Sequence, residues 1–421
     1  MNQPDCLSPI TRRGFLRAAS FAAGALITGC GPRGVPGARV TLTQWYHQYG
    51  ETGTQEAVLR YAREYTRQHP DIAIRVLWVP GDYGTKLATS LLTGGPDVFE
   101  GSLTAAMVRA GQVAPLDELF TPSVRAEFSP KDMAVNTVGG RIYGVKMLDD
   151  VGFLYYRKSQ LTAAGIEPPA TMDALIAAAN KLTVGDRKGL FIGNDGGVNA
   201  LLTLLPWSAG SDFLVGNKIV FNNPRTQAAY EKLSELNASG SLLIGAPTDY
   251  WDPSAFTQGL TALQWTGLWA YPAIRKAFGD DIGVVPWPAL DAAGTPVTFL
   301  GGWSQMVNAQ GAHIEDAKAF VQWLWIESTA LQQDWSLNYG LHVPPHTSLV
   351  SSAQQLQGAV PLAAASALRK YGRFLPPDWD QSMTTALTDA LTNALKRGQP
   401  MASELSAAAD KCTRELERAL E

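Results

Sequence analysis

The residues of this chain that could do chemistry are its histidines, cysteines and carboxylates, and the first two lack the spacings that metals or nucleophiles require. The five histidines include no His-Glu-x-x-His pattern, and the three cysteines include no Cys-x-x-Cys pair. His342 and His346 are four residues apart, but Pro344 and Pro345 prevent the helix that would place both on one face. The sequence has neither a Walker loop nor a Gly-x-Ser-x-Gly elbow. We therefore expect no metal and no cofactor.

Carboxylates are the remaining candidates for catalysis. A glycosidase needs two of them about 5 to 9 Å apart across a cleft. The acidic residues that could supply such a pair are Glu51, Glu100, Asp150, Asp195 and Asp380. The same residues suit a binding site, because carboxylates accept hydrogen bonds from ligand hydroxyls. A secreted glycoside hydrolase is the enzymatic alternative, whereas the export segment and the motif order described below favour binding without catalysis.

Alternating strands and helices would bring polar and aromatic residues to one edge of a sheet. The hydrophobic periodicity predicts strands over 39–46, 72–79 and 97–100, with helices over 54–69 and 83–92. This succession implies right-handed crossovers in a mostly parallel sheet, and ligands of such sheets bind beyond the carboxyl ends of the strands. The segments expected at that rim are 46–51, 82–83 and 100–102.

A second α/β set begins near Tyr155. Two extended segments, 142–147 and 151–156, precede it and are suited to carry the chain from one lobe to another. Thr171 is a predicted N-cap for a helix that ends at 182, and a further helix is predicted over 224–239, with Pro224 at its start. These elements predict a second domain of the same α/β class.

The composition fits a large α/β protein and excludes several other classes. With 421 residues, 46% hydrophobic and 17% charged, the chain is long enough for two or three domains and is neither disordered nor a coiled coil. The formal net charge is −4, and no block of five or six like charges occurs. A nucleic-acid binder that relies on a basic face is therefore not expected.

The first 38 residues predict export and anchoring. Arg12-Arg13 precede a short apolar stretch, and the pattern resembles a twin-arginine export signal. The stretch ends at Leu26-Ile27-Thr28-Gly29-Cys30, which resembles a bacterial lipobox whose cysteine becomes lipidated after cleavage. We expect residues 1–29 to be an export signal, Cys30 to carry the lipid and residues 30–38 to be a tether. The expected location is the extracytoplasmic face of the cell membrane.

Several short motifs resemble those of one known family. In chain order they are Pro96-Asp97-Val98, Phe256 to Leu263 followed by Gly267 and Trp269, Gly301-Gly302-Trp303, Ala317 to Leu324, Gly340 to Pro344, and a pair of amphipathic helices after residue 382. Each motif is weak alone, but their order is similar to that of the bacterial extracellular solute-binding proteins of the carbohydrate, maltose-binding-like type. The resemblance covers residues 39–421.

The resemblance implies a two-lobed α/β fold of the type II periplasmic-binding-protein class, with three crossovers between the lobes. Mapped onto this chain, lobe one would comprise 39–149 and 275–326, and lobe two 150–274 and 327–421. A monomer of this family captures a carbohydrate between the lobes and delivers it to the permease subunits of an ABC importer. Another polar solute, such as an amino sugar, a polyol or a glycerophosphodiester, is the alternative ligand.

A carbohydrate site needs planar polar groups for hydroxyls and flat aromatic surfaces for the C–H faces of the sugar rings. The residues that the rim positions and the resemblance together predict for ligand contact are Tyr46, His47, Gln48, Glu51, Asp82, Tyr83, Glu100, Ser102, Asp150, Asn194, Asp195, Trp265, Trp269, Gly302, Trp303, Trp379 and Asp380. Trp207 is a further candidate. Structural roles remain open for several of them, namely helix capping by Asp82, turn formation by Asn194 and Asp195, and hinge stabilisation by Asp150.

Overall fold

The computed structural model describes residues 37–420, which form two large mixed sheets with helices packed on both faces of each, and three two-stranded sheets. The strands are β1 (Val40–His47), β2 (Ile72–Val79), β3 (Val98–Gly101), β4 (Thr137–Val138), β5 (Arg141–Ile142), β6 (Val145–Lys146), β7 (Gly152–Tyr156), β8 (Lys188–Phe191), β9 (Leu214–Val215), β10 (Lys218–Ile219), β11 (Thr261–Gly267), β12 (Gly283–Val285), β13 (Thr298–Phe299), β14 (Ser304–Val307) and β15 (Gly372–Arg373).

The helices follow the predicted periodicity closely in the segments where it was strongest. They are α1 (Thr54–Gln68), α2 (Tyr83–Leu91), α3 (Ala105–Arg109), α4 (Pro122–Glu127), α5 (Pro130–Val135), α6 (Lys158–Ala164), α7 (Met172–Leu182), α8 (Val198–Leu201), α9 (Leu204–Ser208), α10 (Pro224–Ala238), α11 (Ser254–Thr257), α12 (Tyr271–Phe278), α13 (Ile314–Gln322), α14 (Thr329–Leu337), α15 (Thr347–Ser352), α16 (Ala359–Tyr371), α17 (Gln381–Arg397) and α18 (Met401–Leu420). Thr171 caps α7 as predicted, accepting a hydrogen bond from the amide of Ala174 at 3.3 Å.

The first lobe is built on a sheet of strand order β2-β1-β3-β14-β6. β1 pairs in parallel with β2 and β3, whereas β14 runs antiparallel to β3 and β6. The even-numbered residues of β1, from Val40 to Tyr46, face a core shared with α1 and α13, and Trp45 faces the opposite side beneath α2. Both faces of the sheet are therefore covered, as is usual for parallel strands.

The second lobe is built on a sheet of strand order β12-β7-β11-β8. β11 is parallel to β8 and antiparallel to β7, which also pairs with β12. Helices α7, α10, α17 and α18 pack on one face, and α12 and α16 pack on the other. The architecture confirms the two-lobed α/β fold expected from the sequence.

The chain passes between the lobes three times, and the three crossing segments lie side by side. They are residues 147–151, 300–303 and 338–346. Asp149 exchanges two backbone hydrogen bonds with Val343, of 2.9 and 3.0 Å, and the Gly301 amide donates to the carbonyl of Asp150 at 2.9 Å. The Lys146 ammonium donates to the carbonyl of Gly301 at 2.7 Å. Since each crossing segment is bonded to another, together they form one hinge.

Two parts of the expected lobe boundaries are wrong. The resemblance implies that residues 275–326 belong to lobe one, but β12 pairs with β7 inside the second sheet. It implies that residues after 326 belong to lobe two, but α14 packs against α1 of lobe one, where the Tyr61 hydroxyl donates to Asp334 at 2.5 Å. The physical reason is that tertiary contacts decide which lobe a three-residue strand or a short helix joins. Local hydrophobic periodicity contains no information about those contacts.

The export signal at 1–29, Cys30 and most of the tether lie outside the described residues. Over residues 37–420, none of the helices combines the length and the apolar composition that a membrane span requires.

A buried histidine in the hinge leads us to expect that the stability of the folded state depends on pH. The Nδ1 of His342 lies 2.6 Å from the Asp150 carboxylate, and its Nε2 lies 3.7 Å from Glu51. Burial lowers the pKa of His342, but the two carboxylates outweigh burial and raise the pKa above its ordinary value. A histidine with a raised pKa stabilises the folded state below its unfolded pKa, of about 6.5, and loses that contribution as the pH rises through the folded pKa.

We therefore expect His342→Gln to lower the free energy of unfolding by about 1–3 kcal/mol at pH 5.5, and by less at pH 9. Urea denaturation of both proteins at the two pH values measures the difference. A destabilisation that is the same at both pH values would show that the imidazolium charge does not contribute.

Candidate ligand-binding cleft

A cleft of about 1010 Å³ lies between the two lobes. The first lobe contributes the carboxyl ends of β1 and β3 and the starts of α2 and α3, and the second lobe contributes α9, β15 and the start of α17. The predicted site residues that line it are His47, Gln48, Asp82, Tyr83, Ser102, Gly302, Trp303, Trp379 and Asp380. These positions agree with a site at the carboxyl ends of strands, and ligand contact by each of them stays a prediction.

Aromatic rings form part of the first-lobe wall. The His47 ring contacts both Tyr49, with ring centres 3.8 Å apart, and Trp303, with ring centres 4.5 Å apart. Tyr83 meets the Trp303 ring edge-on at 6.2 Å. Such rings present flat apolar faces next to polar edges, which is the surface that a sugar ring requires.

Polar residues at the rim keep free hydrogen-bonding capacity. Gln48, Asp82 and Ser102 are exposed. Asp82 caps α2, accepting from the hydroxyl and amide of Thr85 at 2.7 and 3.1 Å, and these bonds lower the pKa of the carboxyl. Asp82 therefore both caps α2 and lines the cleft. The hydroxyl of Tyr83 instead donates to the carbonyl of Glu100 at 2.8 Å, so Tyr83 faces the cleft mainly with its ring.

The floor of the cleft is the second crossing segment. Gly302 has a φ of +89°, and a Cβ at this position would lie 2.1 Å from the carbonyl oxygen of Leu148. Only glycine fits such a close approach in that conformation. The carbonyl of Trp303 accepts from the amide of Met147 at 2.9 Å, which fixes the backbone that carries the indole.

The second-lobe wall includes two tryptophans and an arginine. Trp379 is nearly buried, its indole N–H donating to the Thr384 hydroxyl at 2.9 Å. Asp380 caps α17, accepting from the amide of Met383 at 2.9 Å. The Arg373 guanidinium lies over the Trp207 ring, 5.9 Å from its centre, and so covers a face on which a sugar could otherwise stack.

Sequence reasoning missed several lining residues. They are Thr104, Gln112, Lys146, Thr203, Phe299 and Arg373. Lys146 lies near the end of the extended segment 142–147, which is expected to lead into a crossover, so its position near the cleft could have been found. Arg373 and Thr203 follow helices of the second lobe, and no local pattern marks them.

Three predicted contact residues are completely buried, and the prediction is wrong for them. Tyr46 lies in the first-lobe core, where the inward alternation of β1 places it. Trp265 lies in the second-lobe core, perpendicular to Trp287 with ring centres 5.6 Å apart. Glu100 is 0% exposed and is occupied by bonds from His47 and Tyr49. Side chains without solvent contact cannot reach a ligand in this conformation.

Three further candidates have structural roles and do not line the cleft. Asn194 bonds the loop at residues 245–248 through its side-chain amide, donating to the carbonyls of Ala246 and Thr248 at 3.0 Å. Asp195 accepts from the amides of Gly197 and Asn199, both at 2.9 Å, as its turn-forming role predicted. Trp269 packs against Phe299, and its indole N–H donates to the carbonyl of Trp251 at 2.9 Å.

Glu51 and Asp150 also lie away from the cleft lining, on either side of His342 in the hinge. Asp150 is therefore a hinge residue, which was one of its two expected roles. Of the five carboxylates considered for hydrolysis, Asp380 alone lines the cleft. Within the described part of the chain, no group of three or more histidine, cysteine or acidic side chains has the geometry to hold a metal ion.

Comparison with known sequences identifies a protein family whose model matches most of the chain. The family model described as bacterial extracellular solute-binding protein matches residues 50–324. A relative from Deinococcus radiodurans, named a probable ABC transporter-binding protein, is 32% identical over 218 residues, which are 48% of this chain and 51% of that protein. The chain thus spans about half the length of this curated relative.

Solved structures show the same fold at low sequence identity. The GacH receptor of Streptomyces glaucescens, determined unliganded and with acarbose, superposes with a TM-score of 0.77 at 22% identity, covering 90% of this chain and 98% of its own. A solute-binding protein of Thermotoga lettingae bound to α-D-tagatose gives 0.76 at 20% identity, covering 89% and 99%. Because the family model covers more than half of the sequence, the chain belongs to the bacterial extracellular solute-binding protein family.

Proposed function

We propose that this protein captures a carbohydrate in the cleft between its lobes and delivers it to an ABC importer, while a lipid on Cys30 holds it at the outer face of the cell membrane. The observation that carries the proposal is the lining of the cleft. Aromatic surface from Trp303, His47 and Tyr83 lies beside uncommitted polar groups of Gln48 and Ser102. The sugars bound by the Streptomyces and Thermotoga proteins support the same ligand class.

The size of the cleft favours more than one sugar ring. Its volume of about 1010 Å³ lies at the upper end of the range for small-molecule sites. Both lobes contribute walls, so a ligand that touches both stabilises the closed arrangement by binding it better than the open one. The hinge formed by the three crossing segments is the element about which such closure would occur.

A ligand panel tests the proposal. Thermal unfolding of the full chain is followed with mono-, di- and trisaccharides, and in parallel with amino sugars, polyols and glycerophosphodiesters. A ligand at 100 times its Kd stabilises the folded state by about 2.7 kcal/mol, so at least one carbohydrate should raise the Tm by several degrees. Stabilisation by one of the other solutes and by no carbohydrate would contradict the ligand class. Sustained hydrolysis of chromogenic glycosides would indicate the glycosidase instead.

Replacing Cys30 with serine tests the anchor. The variant should lose incorporation of a radiolabelled fatty acid and move from the membrane fraction to the soluble extracytoplasmic fraction, because the serine hydroxyl does not replace the thiol in lipid attachment. Cys6→Ser, in the segment expected to be removed, is the matched control and should leave both readouts unchanged. Fatty-acid labelling that persists in Cys30→Ser would contradict the assignment.

A further inference from the structure

Glu100 is a buried carboxylate next to the cleft that makes no contact with it. It lies in β3, is 0% exposed, and is contacted by three polar groups from one side of the cleft wall. The backbone amide of His47 lies 2.5 Å from its Oε1, the His47 Nδ1 lies 2.5 Å from the same oxygen, and the Tyr49 hydroxyl donates to Oε2 at 2.7 Å. The backbone amide and the Tyr49 hydroxyl donate, and because a carboxylate only accepts, the His47 Nδ1 completes the set when it carries the ring proton.

This geometry decides which nitrogen of His47 faces the ligand space. Because Glu100 accepts from Nδ1, that nitrogen carries the proton, and a neutral imidazole then has its lone pair on Nε2. His47 lines the cleft, and Nε2 makes no hydrogen bond to any protein group within residues 37–420. Contacts of the ring with Tyr49 and Trp303 restrict its rotation. These contacts hold the imidazole in one orientation, and the Glu100 carboxylate favours the tautomer with the proton on Nδ1.

We propose that Glu100 is a positioning residue, which fixes the proton of His47 on Nδ1 so that Nε2 accepts a hydrogen bond from a ligand hydroxyl. The inference rests on the proposed function for its ligand, and it reverses the expectation that Glu100 itself contacts the ligand. It also assigns a chemical preference to this part of the cleft. The group bound here is a hydrogen-bond donor, such as a sugar hydroxyl, and a carboxylate or phosphate is disfavoured because it would face a lone pair.

The tautomer is measurable without any ligand. In the full chain labelled with ¹⁵N-histidine at pH 8, we expect the two ring nitrogens of His47 to show a protonated Nδ1 and an unprotonated Nε2. Glu100→Gln offers Nδ1 either an amide donor or a carbonyl acceptor, so in this variant we expect the spectrum to shift toward a mixture of tautomers. A wild-type spectrum with the proton on Nε2, or on both nitrogens, would overturn the proposal.

A double-mutant cycle measures the consequence for binding. With the carbohydrate found in the ligand panel, Glu100→Gln should weaken affinity by about 3- to 10-fold, the usual worth of one hydrogen bond. In a His47→Ala background the same substitution should have no further effect, because Glu100 acts through His47. Equal losses in both backgrounds would overturn the positioning role. His47→Gln, which places an amide near the position of Nε2, should recover part of the affinity that His47→Ala loses.

Failure of this inference and failure of the proposed function are distinguishable. If the histidine spectrum is as expected but no carbohydrate binds, the positioning of His47 stands and the ligand class is wrong. If a carbohydrate binds but the cycle is additive, the proposed function stands and the role of Glu100 is wrong. Thermal unfolding of the ligand-free variants shows that each one folds before its affinity is interpreted.

Discussion

Replacing Gly302 with alanine should lower the free energy of unfolding by about 3 kcal/mol or more. A non-glycine residue at positive φ is strained by about 1 to 3 kcal/mol, and overpacking adds about the same again. The structure contains both effects, because φ is +89° and the new Cβ would lie 2.1 Å from the carbonyl oxygen of Leu148. That oxygen belongs to the first crossing segment and Gly302 to the second. Relief of the clash therefore has to separate these two segments of the hinge.

Gly94→Ala is the matched control for this experiment. Its φ of +106° is similarly strained, but no atom lies within 4 Å of the Cβ that the substitution adds. The control should therefore lose only the conformational part, about 1–2 kcal/mol. Urea denaturation gives both values, and equal losses for the two variants would contradict the close packing of the crossing segments.

Replacing Trp303 with alanine should weaken carbohydrate binding by about 10- to 100-fold, because a central aromatic anchor contributes more than most contacts of a site. The substitution removes the indole from the cleft and also frees one face of the His47 ring, with which it is in contact. Isothermal titration calorimetry with the best ligand of the panel gives the change in Kd.

Trp323→Ala controls for the loss of an indole from the same lobe. Trp323 is also partly exposed, but it packs against Tyr65 and Phe320, and its N–H donates to Gln68 at 3.2 Å, away from the cleft. The control should bind with unchanged affinity. Similar losses for both variants would indicate a general effect on the lobe and not a stacking surface.

The cleft residues at the strand ends of the first lobe could be predicted, because the carboxyl ends of parallel strands lie at the same edge of a sheet. His47 is the last residue of β1, Asp82 and Ser102 follow β2 and β3, and all three residues line the cleft. The prediction failed at Tyr46, one residue earlier, although the alternation begun at Val40 already directed that side chain inward. Both faces of this sheet are covered, so apolar alternation alone does not distinguish a core aromatic from a rim aromatic.

The second lobe was less predictable for a physical reason. Its cleft residues come from short elements whose position depends on how the lobe packs, as with Arg373 of β15 over Trp207 of α9. Trp265 lies on a strand that is central to its sheet, where a large aromatic completes the core. Both Trp265 and Trp303 were plausible ligand contacts by residue type, and only tertiary structure separates the core indole of Trp265 from the cleft indole of Trp303.

The most direct test of the account is a crystal structure of the protein grown with the carbohydrate that stabilises it most in the panel. We expect electron density for the sugar between the lobes, with a ring in van der Waals contact with Trp303 and a hydroxyl within hydrogen-bond distance of the Nε2 of His47. Density for the sugar elsewhere on the molecule, with these two side chains unoccupied, would contradict it.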